Sequence, residues 1–208
     1  TVKKTALDEF SNPRKAGIIA VDLDEGDFLI GAALTDGQHD VMLFSDGGKA
    51  VRFDENDVRP MGRNARGVRG MMLEEGQSVI AMLVAGDEQQ SVLTATENGF
   101  GKRTSITEYT RHGRGTKGMI AIQQSERNGK VVAATLVHAD DEIMLITDKG
   151  VLVRTRVAEI RELGRATQGV TLIGLDEGSR LSGLQRIVEN DANVTDTEAP
   201  ADEPTDGT

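Results

Sequence analysis

Glycine returns along this chain at a fixed step of 51 residues, as Gly48, Gly99 and Gly150 and again as Gly67, Gly118 and Gly169. Arg52, Arg103 and Arg154 keep the same step, as do Arg63, Arg114 and Arg165 and the class Val58, Tyr109 and Ile160. Five classes of position holding one spacing through three copies mark a tandem array, in which each unit buries its apolar surface against its neighbours. A fourth, partial copy opens the chain, with Lys4 in the place of Arg103, Phe10 in that of Tyr109 and Gly17 in that of Gly67. Its turn glycine would fall just before Thr1, so the sequence reads as an N-terminally truncated array that begins inside a hairpin.

Each unit reads as strands. Lys49–Phe53, Gly67–Leu73, Ser78–Ala85, Lys117–Gln124 and Val131–His138 are short and rich in Val, Ile, Leu, Met and Thr, the composition that fits a pleated, half-buried surface. Asp36-Gly37, Asn98-Gly99, Asn128-Gly129 and Glu177-Gly178 punctuate them. Such pairs supply the positive φ of tight turns. The expected fold is all-β, with four-stranded propeller-like blades of about 51 residues. A partial unit at 1–37 is followed by units near 38–88, 89–139 and 140–187.

Charge divides the chain in two. Of its 34 acids, seven lie between Val188 and Thr208, a stretch with no Lys or Arg. That leaves 27 acids against 24 bases, a net of −3, over residues 1–187. Residues 188–208 are apolar-poor and contain Pro200 and Pro204. Burial there cannot offset the entropy of ordering, so a disordered acidic tail is expected. With no cysteine, disulfides, thiolate catalysis and Cys-based zinc sites are excluded, as fits a cytosolic protein. No apolar run approaches the ~18 residues of a membrane span. His39, His112 and His138 lie in unrelated contexts, without metal-ligand spacing. Gly113-Arg-Gly115-Thr-Lys-Gly118 formally fits a dinucleotide-binding pattern, but it lies between strands and opens no helix.

The recurring bases invite a function. Each unit places one on a strand (Lys4, Arg52, Arg103, Arg154) and each later unit one in the following loop (Arg63, Arg114, Arg165). Lys3, Arg14, Lys15, Arg66, Arg69, Lys102, Arg111, Lys117 and Arg156 stand near them. Repeated once per blade, such residues would form a cationic row on a curved rim that follows a phosphate backbone without reading bases. Equally, each Arg could pair with a carboxylate of the adjacent blade, since Asp57, Glu108 and Glu159 also recur. Aromatic residues make up only 3 % of the chain, which favours duplex over stacked single strands. A propeller-type protein-interaction disc is the remaining alternative.

Val2-Lys-Lys-Thr-Ala-Leu-Asp-Glu-Phe10, Met61-Gly-Arg-Asn-Ala-Arg-Gly-Val-Arg-Gly70, Asn98-Gly-Phe-Gly-Lys-Arg-Thr104 and Gly164-Arg-Ala-Thr-Gln-Gly-Val170 resemble the C-terminal domain of bacterial DNA gyrase A, over residues 1 to about 187. The resemblance implies a β-pinwheel whose basic rim wraps duplex DNA to support ATP-dependent negative supercoiling by a type II topoisomerase. It implies partnership with the rest of gyrase A and with gyrase B in an A2B2 heterotetramer in the cytoplasm. The cleavage tyrosine, ATP and magnesium would then lie outside this chain, which would hold no catalytic residue, metal or cofactor, and Tyr109 would be a repeat position. The family's glutamine-arginine-arginine-glycine-glycine-lysine-glycine box is absent, with Arg114-Gly-Thr-Lys-Gly118 its nearest echo. The corresponding domain of the related topoisomerase IV is the neighbouring alternative. The tail's seven acids would either compete with DNA for the rim or form a solvated end.

Overall fold

The computed structural model describes residues 1–188, so the expected disordered tail, apart from Val188, lies outside the described residues. The described chain is all-β, with only short 3₁₀ turns besides. In chain order the strands are β1 (Asp40–Ser45), β2 (Lys49–Asp54), β3 (Val79–Ala85), β4 (Ser91–Thr96), β5 (Phe100–Ser105), β6 (Met119–Ile120), β7 (Val131–Val137), β8 (Glu142–Thr147), β9 (Leu152–Arg156), β10 (Val170–Thr171) and β11 (Leu181–Ile187). They form three antiparallel sheets ordered β3-β1-β2-β6, β10-β5-β4-β7 and β11-β8-β9.

Each central hairpin turns on its recurring glycine, with φ of +77°, +82° and +81° at Gly48, Gly99 and Gly150. Chain exchange between units closes the outer edge. The two-residue strand β6 comes from the second complete unit yet pairs with β2 of the first, Ala50 opposite Met119. In the same way β10 of the third pairs with β5 of the second, Gly101 opposite Val170. The glycine class just before these short strands permits the approach. A Cβ on Gly118 would lie 2.4 Å from the Ala50 carbonyl oxygen, and one on Gly169 2.7 Å from that of Gly101.

Both faces of a middle sheet are core. Along β4, Val92 packs toward the first sheet with Met42, Phe44 and Tyr109. Its neighbour Leu93 points the other way, toward Ile143, Leu145 and Val157 of the third. The period of two is intact, but each face meets another sheet, so all of β4 is buried. A third cluster, around Leu43, Val51, Phe53 and Met71, joins the first sheet to Val2 and Val68.

Two expectations change. Gly67–Leu73 and Lys117–Gln124 are mostly loop, with only the Val2–Val68 and Met71–Thr116 bridges and the short β6. The opening unit has no named strand, only a 3₁₀ turn at Leu7–Phe10 and isolated bridges at Val2 and Lys4. Phe28, Leu29, Ile30 and Leu34 have a strand's composition but stand exposed. Strand propensity needs a pairing partner, and no strand among the described residues offers one to that segment.

Candidate nucleic-acid interface

The loops after the second hairpin strands, at 58–69, 109–118 and 160–169, are each tied to the preceding unit. Arg114 Nη1 donates to the Arg69 carbonyl at 3.1 Å and its Nε to that of Asp57 at 2.9 Å. Arg165 Nη1 donates to the Ile120 carbonyl at 2.8 Å, and Arg63 Nη1 to that of Ile19 at 2.7 Å. Ile19, Arg69 and Ile120 are equivalent positions, two residues after Gly17, Gly67 and Gly118. The recurring loop arginine is therefore a staple between units.

The strand class does the same in the other direction. Arg52 is buried. Its Nε contacts Asp40 at 2.7 Å, its Nη2 meets Glu88, and its Nη1 donates to the carbonyls of Ile106 and Tyr109. Burial lowers its pKa, but hydrogen bonds to Glu88 and Asp40 outweigh that and leave it raised. Arg103 Nε donates to the Ile160 carbonyl at 2.7 Å, and Lys4 Nζ to that of Glu55 at 3.0 Å. Arg154 pairs with Glu142 on the facing strand, Nε to Oε2 at 2.7 Å.

Lys102 also changes place. It is fully buried, and its Nζ donates to Gly164 O at 2.5 Å, Arg165 O at 2.7 Å and Thr104 Oγ1 at 3.1 Å. Desolvation pulls its pKa down to about 8. Lys3 sends its Nζ to the carbonyls of Arg63 and Ala20, and burial likewise lowers its pKa. As sequence-predicted phosphate ligands, Arg52 and Lys102 are thus corrected to interior residues, because their donors already serve acceptors within the protein. The recurring carboxylates are not the arginines' side-chain partners either, for Glu108 accepts the backbone N–H of Arg165.

Exposed charge lies beside the staples as well as on Arg114 itself. Arg14, Lys15, Arg69 and Lys117 are exposed. Arg66 faces Asp22 and Asp24, Arg111 is shared by Asp40 and Asp54, and Arg156 stands 3.9 Å from Glu159. Arg59 and Arg161, absent from the sequence-predicted set, are exposed on the same loops, directly after Val58 and Ile160. They stand two steps of 51 apart, with Thr110 between them. That signal was present, but the interrupted class hid it. Arg59, Arg66, Arg69, Arg111, Lys117 and Arg161 all lie on these three loops, two of which Arg114 and Arg165 tie to the preceding unit.

Asp36, His39 and Glu55 bring ligand-type atoms within 4.8 Å of one another. Glu55 Oε1 already accepts the N–H groups of Gly37 and His39, and His39 Nδ1 lies 2.8 Å from Asp36. The trio ties the incoming chain to the turn after β2.

Three stacked antiparallel sheets, two of four strands and one of three, joined from unit to unit by arginine staples, define a propeller-like β-repeat domain. The chain belongs to the family described as DNA gyrase C-terminal domain, beta-propeller, whose model matches residues 1–36, 39–85, 90–138 and 141–187. It is 57 % identical to the DNA gyrase A protein of Pseudomonas aeruginosa and 53 % identical to that of Escherichia coli K12, over 189 residues and 91 % of this chain in both comparisons. Those matches cover 20 % and 22 % of the relatives, so the chain spans about a fifth of their length. Among solved structures, the C-terminal domain of DNA topoisomerase IV superposes with a TM-score of 0.84 at 26 % identity, covering 89 % of this chain and 58 % of that one. The gyrase A C-terminal domain superposes at 0.77 with 30 % identity, covering 84 % and 59 %. The two share a backbone shape, and the high identities are with gyrase A.

Proposed function

We propose that this domain binds duplex DNA along the stapled basic margin and bends it around the stack, as the wrapping module of a gyrase-type topoisomerase. The observation that carries the reading is that the loops at 58–69, 109–118 and 160–169, each tied by an arginine to the preceding unit, carry unpaired cations. Their exposed Arg59, Arg69, Lys117 and Arg161 have neither hydrogen-bond acceptors nor carboxylate partners for their side chains among the described residues. Spaced side-chain cations on a convex margin neutralise successive phosphates and select no base sequence. In the whole enzyme the domain would act with the rest of gyrase A and with gyrase B, in the cytoplasm. DNA cleavage and ATP hydrolysis would take place outside it, and it would need no cofactor of its own. The names and identities of the gyrase relatives support this reading.

Relaxation of nicked-and-closed circular DNA by an unrelated topoisomerase in the domain's presence tests it. Wrapping leaves trapped writhe that grows with the amount of domain bound. A linking number unchanged at saturating domain rejects wrapping, and failure to bind at every salt concentration rejects the interface.

A further inference from the structure

The junctions between units share one position whose occupant differs. Met61 N, His112 N and Leu163 N donate to the carbonyls of Lys4, Arg52 and Arg103 at 2.8, 2.8 and 2.9 Å, which puts the three junctions in register. One residue earlier on each acceptor segment stand Lys3, Val51 and Lys102. The two lysines insert into the next unit's loop. Lys102 Nζ reaches the carbonyls of Gly164 and Arg165, and Lys3 Nζ reaches that of Arg63.

At the middle junction the inserted side chain is missing. Val51 ends in two methyl groups, and a cavity of about 380 Å³ opens there, lined by Val51, His112, Gly113, Thr116, Lys117 and Met119. Gly113 and Arg114 are the counterparts of Gly164 and Arg165. Among the described residues neither of their carbonyls accepts a hydrogen bond.

We propose that this cavity is a binding site for a small primary alkylammonium, held as the Lys102 side chain is held one unit along. Its N–H donors would meet the carbonyls of Gly113 and Arg114, and its alkyl chain would lie against Val51 and Met119. A chain of about four carbons matches a lysine stem. Of the cations at the cavity wall, Arg52 is neutralised by Asp40 and Glu88 while Lys117 carries its charge into the lining; the sister site seats an ammonium in the same way beside Arg165, the counterpart of Arg114. A trimethylammonium lacks the N–H donors these carbonyls need. The proposal does not rest on DNA binding, although Lys117 belongs to both the cavity lining and the DNA-binding set, and its failure would leave that reading untouched.

Amide chemical shifts of the 208-residue chain, titrated with n-butylammonium chloride at constant ionic strength, test the proposal. Saturable shifts confined to Gly113, Arg114 and Gly115 are expected, with butyltrimethylammonium at least about tenfold weaker because it cannot make the charge-assisted hydrogen bonds. Val51→Lys fills the cavity from within and abolishes the response. Lys102→Val opens a second site, adding saturable shifts at Gly164 and Arg165 and an amine-dependent rise in Tm. Shifts that do not saturate, an equal response to the trimethyl compound, or full binding by Val51→Lys overturns the proposal. Should Val51→Lys fail to fold, absence of the second site in Lys102→Val overturns it as well.

Discussion

Lys102 carries the sharpest residue-scale consequence. Its ammonium is fully buried with three neutral acceptors and no carboxylate in contact. Desolvation lowers its pKa from 10.5 to about 8. Between those values the unfolded chain binds the proton that the folded chain releases, so stability rises with pH across pH 8–10.5, and the penalty is present in full below pH 8. Lys3 adds a smaller contribution of the same sign. The Tyr109 pKa is raised by burial, so that above about pH 10 the unfolded tyrosine ionises first and stability falls. The clean window is therefore about pH 8 to 10. There the urea midpoint of the native chain should climb with pH, and Lys102→Met should remove most of the climb. A flat native profile, or an undiminished slope in the variant, contradicts the assignment. The lysine's interior position was readable in part, since Val51 and Val153 occupy its register in the flanking units. The rule that assigns a lysine to solvent won because the acceptors that hold this one lie 62 and 63 residues away, on a loop whose path the sequence does not draw.

At the scale of elements, the hairpins were legible and the exchanged strands were not. β1–β2, β4–β5 and β8–β9 are local pairs joined by turns whose glycines require positive φ, and local pairing leaves its signature in sequence. β6 and β10 are two residues long and pair with the preceding unit, so no period of their own marks them. Only the glycine before each betrays the close approach. The approach gives a prediction. Gly118→Ala places a Cβ 2.4 Å from the Ala50 carbonyl oxygen at a φ of +77°. It should cost more than about 2 kcal/mol, since left-handed strain and backbone displacement add. Gly62→Ala meets nothing within 4 Å and carries no positive φ, and its denaturation curve should overlay the native one. Equal losses in the two variants would mean that the exchange contact is not what the glycine serves.

For the whole molecule, what repeats is what every unit needs, and that is attachment to the next. Arg63, Arg114 and Arg165 recur because each reaches a carbonyl of the preceding unit. Phosphate contact imposes no such period, since a flexible cation anywhere along the margin can neutralise a phosphate. The regular step therefore marks the attachment between units, and Arg63, Arg114 and Arg165 carry it, Arg114 while exposed to solvent. The two roles separate by experiment. Changing Arg59, Arg69, Lys117 and Arg161 together to Ala should flatten the dependence of log affinity on log salt by about 0.9 for each phosphate left un-neutralised, alike for unrelated duplex sequences, and leave Tm nearly unchanged. Changing Arg63, Arg114 and Arg165 together should do the reverse. Each substitution removes a charged hydrogen bond to backbone, worth about 1.5–3 kcal/mol when well made. Tm then falls, while the salt slope of the protein that remains folded changes less than in the first set. A slope unmoved by the first set, or moved more by the second than by the first, would return the phosphate-binding role to the repeating arginines.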